Sequence, residues 1–522
     1  MRAWRLRTFF GALLGGLWLS GCAHQGAMSP AASPSQSATG TTTVPATSPV
    51  TSPATSQEWA ALGRQQALRT RPEQRGPARN LILVVGDGMG ITTLTAARIF
   101  AGQQQGLAGE EFRLSFEQLP YSALVKTYNT DRQTPDSAGT MTALVTGHKT
   151  DAGVLSVGAG VERGNCSSLN DPATQSDQAL PTLFDLARRL NKRTAIVTTT
   201  RITHATPAAL YAHSVERNWE SDDAMTAAAR RQGCHDIASQ LLQAHQLGQG
   251  PDIIVGGGRR HFVPEAQGGR RQDGQDLIAQ WQALPNAGVL QTRAQLQHAN
   301  LARGRWLGLF ADSHLPYIDQ RPASVPSLQD MVQQVYAGVK DQPDGYVLVI
   351  EAGRIDHAHH DGNAQRALRE TYELHQTMQW LLAQVNFDDT LVMVTADHSH
   401  TLTLQGYPTR GNPILGLVHS NDEHGEAMAE PWLLDDGKPY TSLSYRNGPG
   451  AVDSQQRPKL QPSQVADIDF RQPALVPLES ETHGGEDVAV YAAGPWAHLV
   501  GGTLEQHWLY HVMQHALTAN PE

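Results

Sequence analysis

Six short runs rich in Val, Ile and Leu are spread along the chain: Leu81 to Val85, Thr194 to Val197, Ile253 to Val255, Tyr346 to Ile350, Leu391 to Thr395 and Val488 to Tyr491. Gly or Asp bounds them. Continuous apolar runs of this length, as opposed to alternating ones, predict strands buried on both faces. Between them lie helix-like stretches at Ala138 to Val145, Pro181 to Leu190, Asp236 to Leu247, Asn363 to Val385 and Leu504 to Leu517. The alternation predicts an α/β fold whose central sheet is mostly parallel and flanked by helices on both faces. Open sheets of this kind bind ligands outside the carboxyl ends of their strands. Asp87 follows the first run, Glu351 ends the fourth and Asp397 follows the fifth, so the pattern predicts that three carboxylates converge.

Residues 406–477 have a different texture, with scattered Gly, Pro, Asn and Gln and little periodicity. They read as an insertion over the site, with short strands expected around Tyr440 to Tyr445. The first residues break the pattern in another way. Arg2, Arg5 and Arg7 precede an apolar stretch from Phe9 to Leu19, and Leu19-Ser20-Gly21-Cys22 follows. A basic start, a short apolar run and small residues predict an export signal over residues 1–22. Its last four residues resemble a bacterial lipobox, in which Cys22 becomes a lipidated N-terminus; an ordinary signal with an incidental cysteine is the alternative. Residues 23–56, rich in Ser, Thr and Pro, cannot bury enough apolar surface to fold and read as a tether. The folded domain is then 57–522. The expected location is periplasmic or at the cell surface, with membrane contact only through the N-terminal lipid.

Charge and cysteine content narrow the picture further. Forty basic against fifty acidic residues among 522 give a formal net charge of -10 with no long run of either sign, which argues against specific nucleic-acid binding. With Cys22 set aside, two of the three cysteines remain, Cys166 and Cys234. An oxidising compartment would let them pair, and two unrelated buried thiols are the alternative.

The candidate chemistry sits in three further segments. Asp356-His357-Ala358-His359-His360 sets an acid and a histidine four positions apart, Asp397-His398 sets an acid beside a histidine, and Glu481-Thr482-His483 adds a histidine before the last strand. Carboxylate and imidazole together suit zinc. In Thr134-Pro135-Asp136-Ser137-Ala138-Gly139-Thr140 a serine falls in the first turn of a predicted helix, where backbone N–H groups favour an anion. Taken alone the segment reads better as plain helix capping by Asp136 or Ser137. A neighbouring metal site makes the serine a candidate nucleophile.

From about Asn80 onward the chain resembles the alkaline phosphatases. The motifs that carry the resemblance are Gly86-Asp87-Gly88-Met89-Gly90, Pro135 to Thr140, Arg354 to His360, Thr395 to His400 and Glu481 to His483. The resemblance implies hydrolysis of small-molecule phosphate monoesters, with Ser137 transiently phosphorylated, Arg217 clamping phosphate and a rate rising into alkaline pH. It implies two Zn2+ and one Mg2+. One zinc would lie on Asp356, His360 and His483, the other on Asp87, Asp397, His398 and the Ser137 oxygen. The magnesium would lie on Asp87, Thr206 and Glu351. Histidine at 204 and 357, next to these ligands, is similar to the animal-type branch of the family, as is the placement of Cys166 and Cys234, which implies their disulfide. A homodimer is also implied. The peripheral Ca2+ site of that branch is not expected, because Ala311 and Val325 stand where acids would be. A diesterase or sulfatase on the same scaffold, or a non-catalytic zinc or phosphate binder, are the rival readings.

Overall fold

All six apolar runs are strands in the computed structural model, which describes residues 73–170, 178–453 and 456–519. Cys22, the expected signal, the tether and residues 57–72 lie outside the described residues. The central sheet has ten strands in the order β15 (Thr503–Glu505), β2 (Tyr121–Lys126), β14 (Val488–Ala493), β8 (Thr390–Ala396), β1 (Asn80–Gly86), β7 (Tyr346–Ala352), β3 (Arg193–Arg201), β4 (Ile253–Gly257), β6 (Arg305–Leu309) and β5 (Ala287–Leu290). Every pairing is parallel except the two made by β14, which runs against both β2 and β8.

Burial explains which strands the sequence announced. Every residue of β1, β7 and β8 is buried, and their polar residues are confined to Asn80, Glu351, Thr390 and Thr395 at or next to the strand ends, which leaves a continuous apolar run in each. Each fully buried Val, Leu or Ile contributes about 1.5–3 kcal/mol relative to exposure, which seats this triplet at the sheet centre. By contrast β2 alternates buried and exposed, and its sequence YSALVK gives no continuous apolar run. The stretch expected as one helix from Leu504 divides: Thr503–Glu505 pairs with β2, and the helix spans Trp508–Thr518. Pairing with the otherwise free edge of β2 outweighs local helix preference at Leu504.

Helices cover both faces. Ile91–Gln103, Leu328–Val339 and Ala364–Leu382 pack together on one side, and Ser137–Thr146, Leu183–Arg189 and Trp508–Thr518 on the other. The parallel register aligns the strand ends, pairing Gly86 of β1 with Ala352 of β7 and with Ala396 of β8. Asp87, Glu351 and Asp397 therefore emerge side by side. An antiparallel ribbon of β9 (Ser399–His400) and β13 (His483–Gly484) pairs His483 with His400 at the same end. The insertion contributes β11 (Leu443–Gly448) and β12 (Ala474–Pro477), which join β10 (Leu402–Leu404) in a separate three-stranded sheet. The strand expected near Tyr440 begins at Leu443.

Cys166 and Cys234 form a disulfide. It closes a small core of Val154, Val157, Val161, Leu169, Val215, Trp219, Met225 and Ala229, separate from the main one.

Candidate active site

The turn after β1 brings its carboxylate to the strand ends. Gly88 has φ 69°, and a Cβ there would lie 2.4 Å from the His400 ring, so only glycine fits. The Gly88 N–H donates to Asp397 Oδ1 (3.0 Å), as does the His398 N–H (2.8 Å), which fixes one carboxylate oxygen and aims the other inward. Asp87 is fully buried, and neither of its oxygens has a hydrogen-bond partner. Burial pushes its carboxyl well up, and Asp397, Asp356 and Glu351 add to the effect. A buried carboxylate surrounded by others calls for a cation.

Ser137 opens the helix Ser137–Thr146, capped by Asp136, whose side chain accepts from Gly139 N (3.1 Å). The cap is therefore Asp136, and the Ser137 hydroxyl is free for other work. Its Oγ lies 3.1 Å from His398 Nε2, which in turn is 3.4 Å from Asp87 Oδ1 and 3.4 Å from Asp397 Oδ2. His398 Nδ1 donates to Ser399 O (3.2 Å), so Nε2 is left with its lone pair towards the carboxylates.

A second cluster has the same logic. His360 Nδ1 donates to Glu481 O (2.5 Å) and His483 Nδ1 to Pro135 O (2.8 Å). Carbonyls only accept, so both Nε2 atoms carry lone pairs, yet they face each other at 3.1 Å and Asp356 Oδ1 at 3.4 and 3.5 Å. Three converging acceptors without a proton between them fit a divalent cation, and the nitrogen and oxygen donor set suits zinc. His400 lies behind them, between Asp356 (2.8 Å) and Glu481 (2.6 Å). Against burial, these two carboxylates raise the His400 imidazole to about 10, so it stands as a cation that braces Asp356.

The third cluster is oxygen-rich. Asp87, Glu351 and His204 present ligand atoms within 4.8 Å of one another. Thr206 Oγ1 and Glu351 Oε1 are buried and make no hydrogen bond, while the other Glu351 oxygen accepts from Thr198 and from Thr200 (3.1 Å). Burial pushes the Glu351 carboxyl up to about 7, against the threonine hydroxyls around it. Hard, neutral and anionic oxygens of this kind fit magnesium.

Arg217 is paired with neither Glu216 nor Glu220. Its Nη1 donates to Asp136 Oδ2 (2.9 Å) and its Nη2 lies 3.2 Å from His204 Nε2. Glu216 holds Arg163, and Glu220 holds Arg201. The Arg217 N–H donates to Gly153 O (2.9 Å), and Gly153 N in turn donates to Asp136 (3.0 Å), so one carboxylate fixes the helix start, the loop and the guanidinium together. His357 Nδ1 donates to Gly353 O (2.9 Å), and its ring lies 4.0 Å from that of His314 and 5.5 Å from that of His204.

Every residue expected at the site within the described chain is thus in this region. Asp136, Glu481, His400, His314, Thr198 and Thr200 are additions. His400 and Glu481 lay inside the quoted motifs, whereas His314 stands in a loop with no pattern to mark it.

The sequence pattern of the alkaline phosphatases matches residues 78–519. The chain belongs to the alkaline phosphatase family. It is similar to the tissue-nonspecific alkaline phosphatase isozyme of Gallus gallus, with 42% identity over 478 residues and 88% of each chain covered. Among solved structures it is similar to the alkaline phosphatase of Thermus thermophilus, with a TM-score of 0.60, 25% identity, and 88% of this chain and 95% of that one covered. The enzyme of the Antarctic bacterium TAB5 shares the fold, with a TM-score of 0.57 at 18% identity over 85% of this chain and 99% of that one. This alkaline phosphatase is a phosphomonoester hydrolase with metal-binding clusters of His, Asp and Glu at its strand ends. No helix among its described residues is long and apolar enough to cross a membrane.

Proposed function

We propose that Ser137 is the nucleophile of this phosphatase and that Arg217 clamps the phosphate. We assign two zinc ions and one magnesium ion to the clusters above: Asp356, His360 and His483; Asp87, Asp397, His398 and Ser137; and Asp87, Thr206 and Glu351. When bound, the zinc pair supplies positive charge that makes hydroxyl oxygens nucleophilic at neutral pH and stabilises a departing alkoxide. Ser137 Oγ forms a bond to phosphorus as the bond to the alcohol oxygen breaks, and the phosphoserine is then hydrolysed by water. Arg217, held flat by Asp136, offers parallel N–H groups to two phosphate oxygens. The backbone at the start of Ser137–Thr146 adds its dipole. His204 orients Arg217, and His357 stands beside His204 and His314. The main support is Ser137 Oγ itself, buried at a helix start 3.1 Å from His398 Nε2 and freed from capping by Asp136.

The test is acid-quenched turnover of a labelled monoester with metal analysis of the same sample. The parent should trap phosphate on Ser137 and hold two zinc and one magnesium per chain, and Ser137→Ala should trap none. Labelling retained in Ser137→Ala, or a preferred nitrophenyl diester, overturns the reading. We further assign residues 57–522 to one catalytic domain, export to residues 1–22, and a lipid anchor on Cys22 behind the 23–56 tether, which mass analysis of the mature N-terminus checks. A homodimer is supported by apolar side chains that the insertion exposes, Tyr407 at 88%, Leu433 at 51% and Trp432 at 43%. Sedimentation of the parent and of Trp432→Arg tests it.

A further inference from the structure

The catalytic cluster occupies the carboxyl ends of the strands. At their amino ends, where β3, β4 and β6 begin, lies a cavity of about 450 Å³ lined by Arg193, His245, Gln246, Asp252, Asn286 and Arg305. Its size is that of a metabolite site, and Leu284 and Pro285 give it an apolar wall.

The polar groups there have an excess of donors. Arg305 Nη1 donates to His245 O (2.5 Å), and among the described residues its Nε and Nη2 make no hydrogen bond and the guanidinium forms no ion pair. Arg193 Nη2 donates to Leu301 O and Gly304 O (2.8 Å each), and its Nε is buried without a partner. The carboxylate of Asp252 is already engaged: Oδ2 accepts from Thr194 N (2.9 Å) and Thr194 Oγ1 (3.1 Å), and Oδ1 stands 3.8 Å from Arg193 Nη1. His245 Nε2 is likewise buried with no partner. One guanidinium charge is left uncompensated beside an apolar wall.

We propose that this cavity is a second ligand site, which takes a small organic oxyanion with its acid group on Arg305 and Arg193 and its body against Leu284 and Pro285. Guanidinium forks bind carboxylate and phosphate oxygens in pairs, so both acid types suit the chemistry. The site is at the opposite end of the strands from Ser137 and does not depend on the catalytic assignments.

Equilibrium dialysis of the metal-loaded enzyme with phenylphosphonate, which cannot be hydrolysed, tests this. The parent should bind two molecules per chain, one at each end of the sheet. Arg305→Gln should bind one, or bind the second at least tenfold more weakly, with monoester turnover unchanged. Gln246→Glu, which adds a carboxylate to the cavity lining and leaves Arg305 in place, should lose the same molecule and guards against misfolding of the first variant. A parallel series with phenylacetate separates the sources: binding of both probes means any oxyanion is accepted, and binding of phenylphosphonate alone means a phosphorus oxyanion is required. A parent with no bound molecule that Arg305→Gln or Gln246→Glu removes or weakens overturns the proposal.

Discussion

Breaking the Cys166–Cys234 disulfide should cost both global stability and the grip on phosphate. The bond closes a loop of sequence separation 68. Loop-closure entropy for that length corresponds to about 4 kcal/mol at 25 °C. At about 2.1 cal/mol/K per residue, the matched span 78–519 has an unfolding entropy of about 0.9 kcal/mol/K, so Tm should fall by about 4–5 °C. The second effect is local. The small core that the bond closes holds Val154 and Val215, which flank the Gly153 carbonyl and the Arg217 N–H that meet at 2.9 Å. Loosening that core frees the guanidinium, so KM and the inhibition constant for inorganic phosphate should each rise several-fold while kcat changes less. Scanning calorimetry and monoester kinetics of the Cys166→Ser, Cys234→Ser double variant provide the assay. A Tm within 1 °C of the parent would refute the entropic argument. A lowered Tm with unchanged phosphate inhibition would refute the link to Arg217.

Three further outcomes are expected. Asp136→Ala removes the helix cap, at about 1 kcal/mol, and also releases Arg217, whereas Asp136→Asn keeps a cap and loses the charge; thermal melts should separate the two, and both should weaken phosphate inhibition about tenfold. Burial lowers the His375 imidazole to about 4, and its Nδ1 accepts from Ser115 N (2.9 Å). Because this folded value is below the unfolded 6.5, its contribution is complete above about pH 6.5 and lost as pH falls towards 4, amounting to about 2 kcal/mol at pH 5; urea titrations at pH 7.5 and 5 should show a smaller difference in His375→Gln. Chelation should abolish turnover and lower Tm more at pH 9 than at pH 6, since burial pushes Asp87 well up and Glu351 up to about 7, and the metal-free fold is relieved by taking up protons as pH falls; equal Tm losses at the two pH values would count against the carboxylate cluster.

The buried centre of the sheet was legible because β1, β7 and β8 are buried at every position and each carries a continuous apolar run, and their ends marked Asp87, Glu351 and Asp397 in advance. Local pattern failed where strand identity depends on a partner. The alternation in β2 is that of a half-exposed strand, and Leu504 joins a strand only because β2 offers an edge. The serine was ambiguous in sequence because Asp136 and Ser137 can each cap a helix; geometry resolves it, since the Asp136 side chain takes the cap. His314 was invisible, because a loop histidine announces no role until its ring is seen 4.0 Å from that of His357.

The reversed strand β14 has a consequence for when the enzyme can first work. The short strand β13 just before it, paired with β9, brings His483 to Pro135, 348 residues away in sequence. A polypeptide growing from its N-terminus at about 5–20 residues per second already holds Asp87, Ser137 and Asp397 long before His483 exists. On the assignment proposed above, a nascent chain lacks one side chain of the Asp356, His360 and His483 cluster until residue 483 is made, so a ribosome stalled before that point should leave a protein that builds most of the sheet without phosphatase activity.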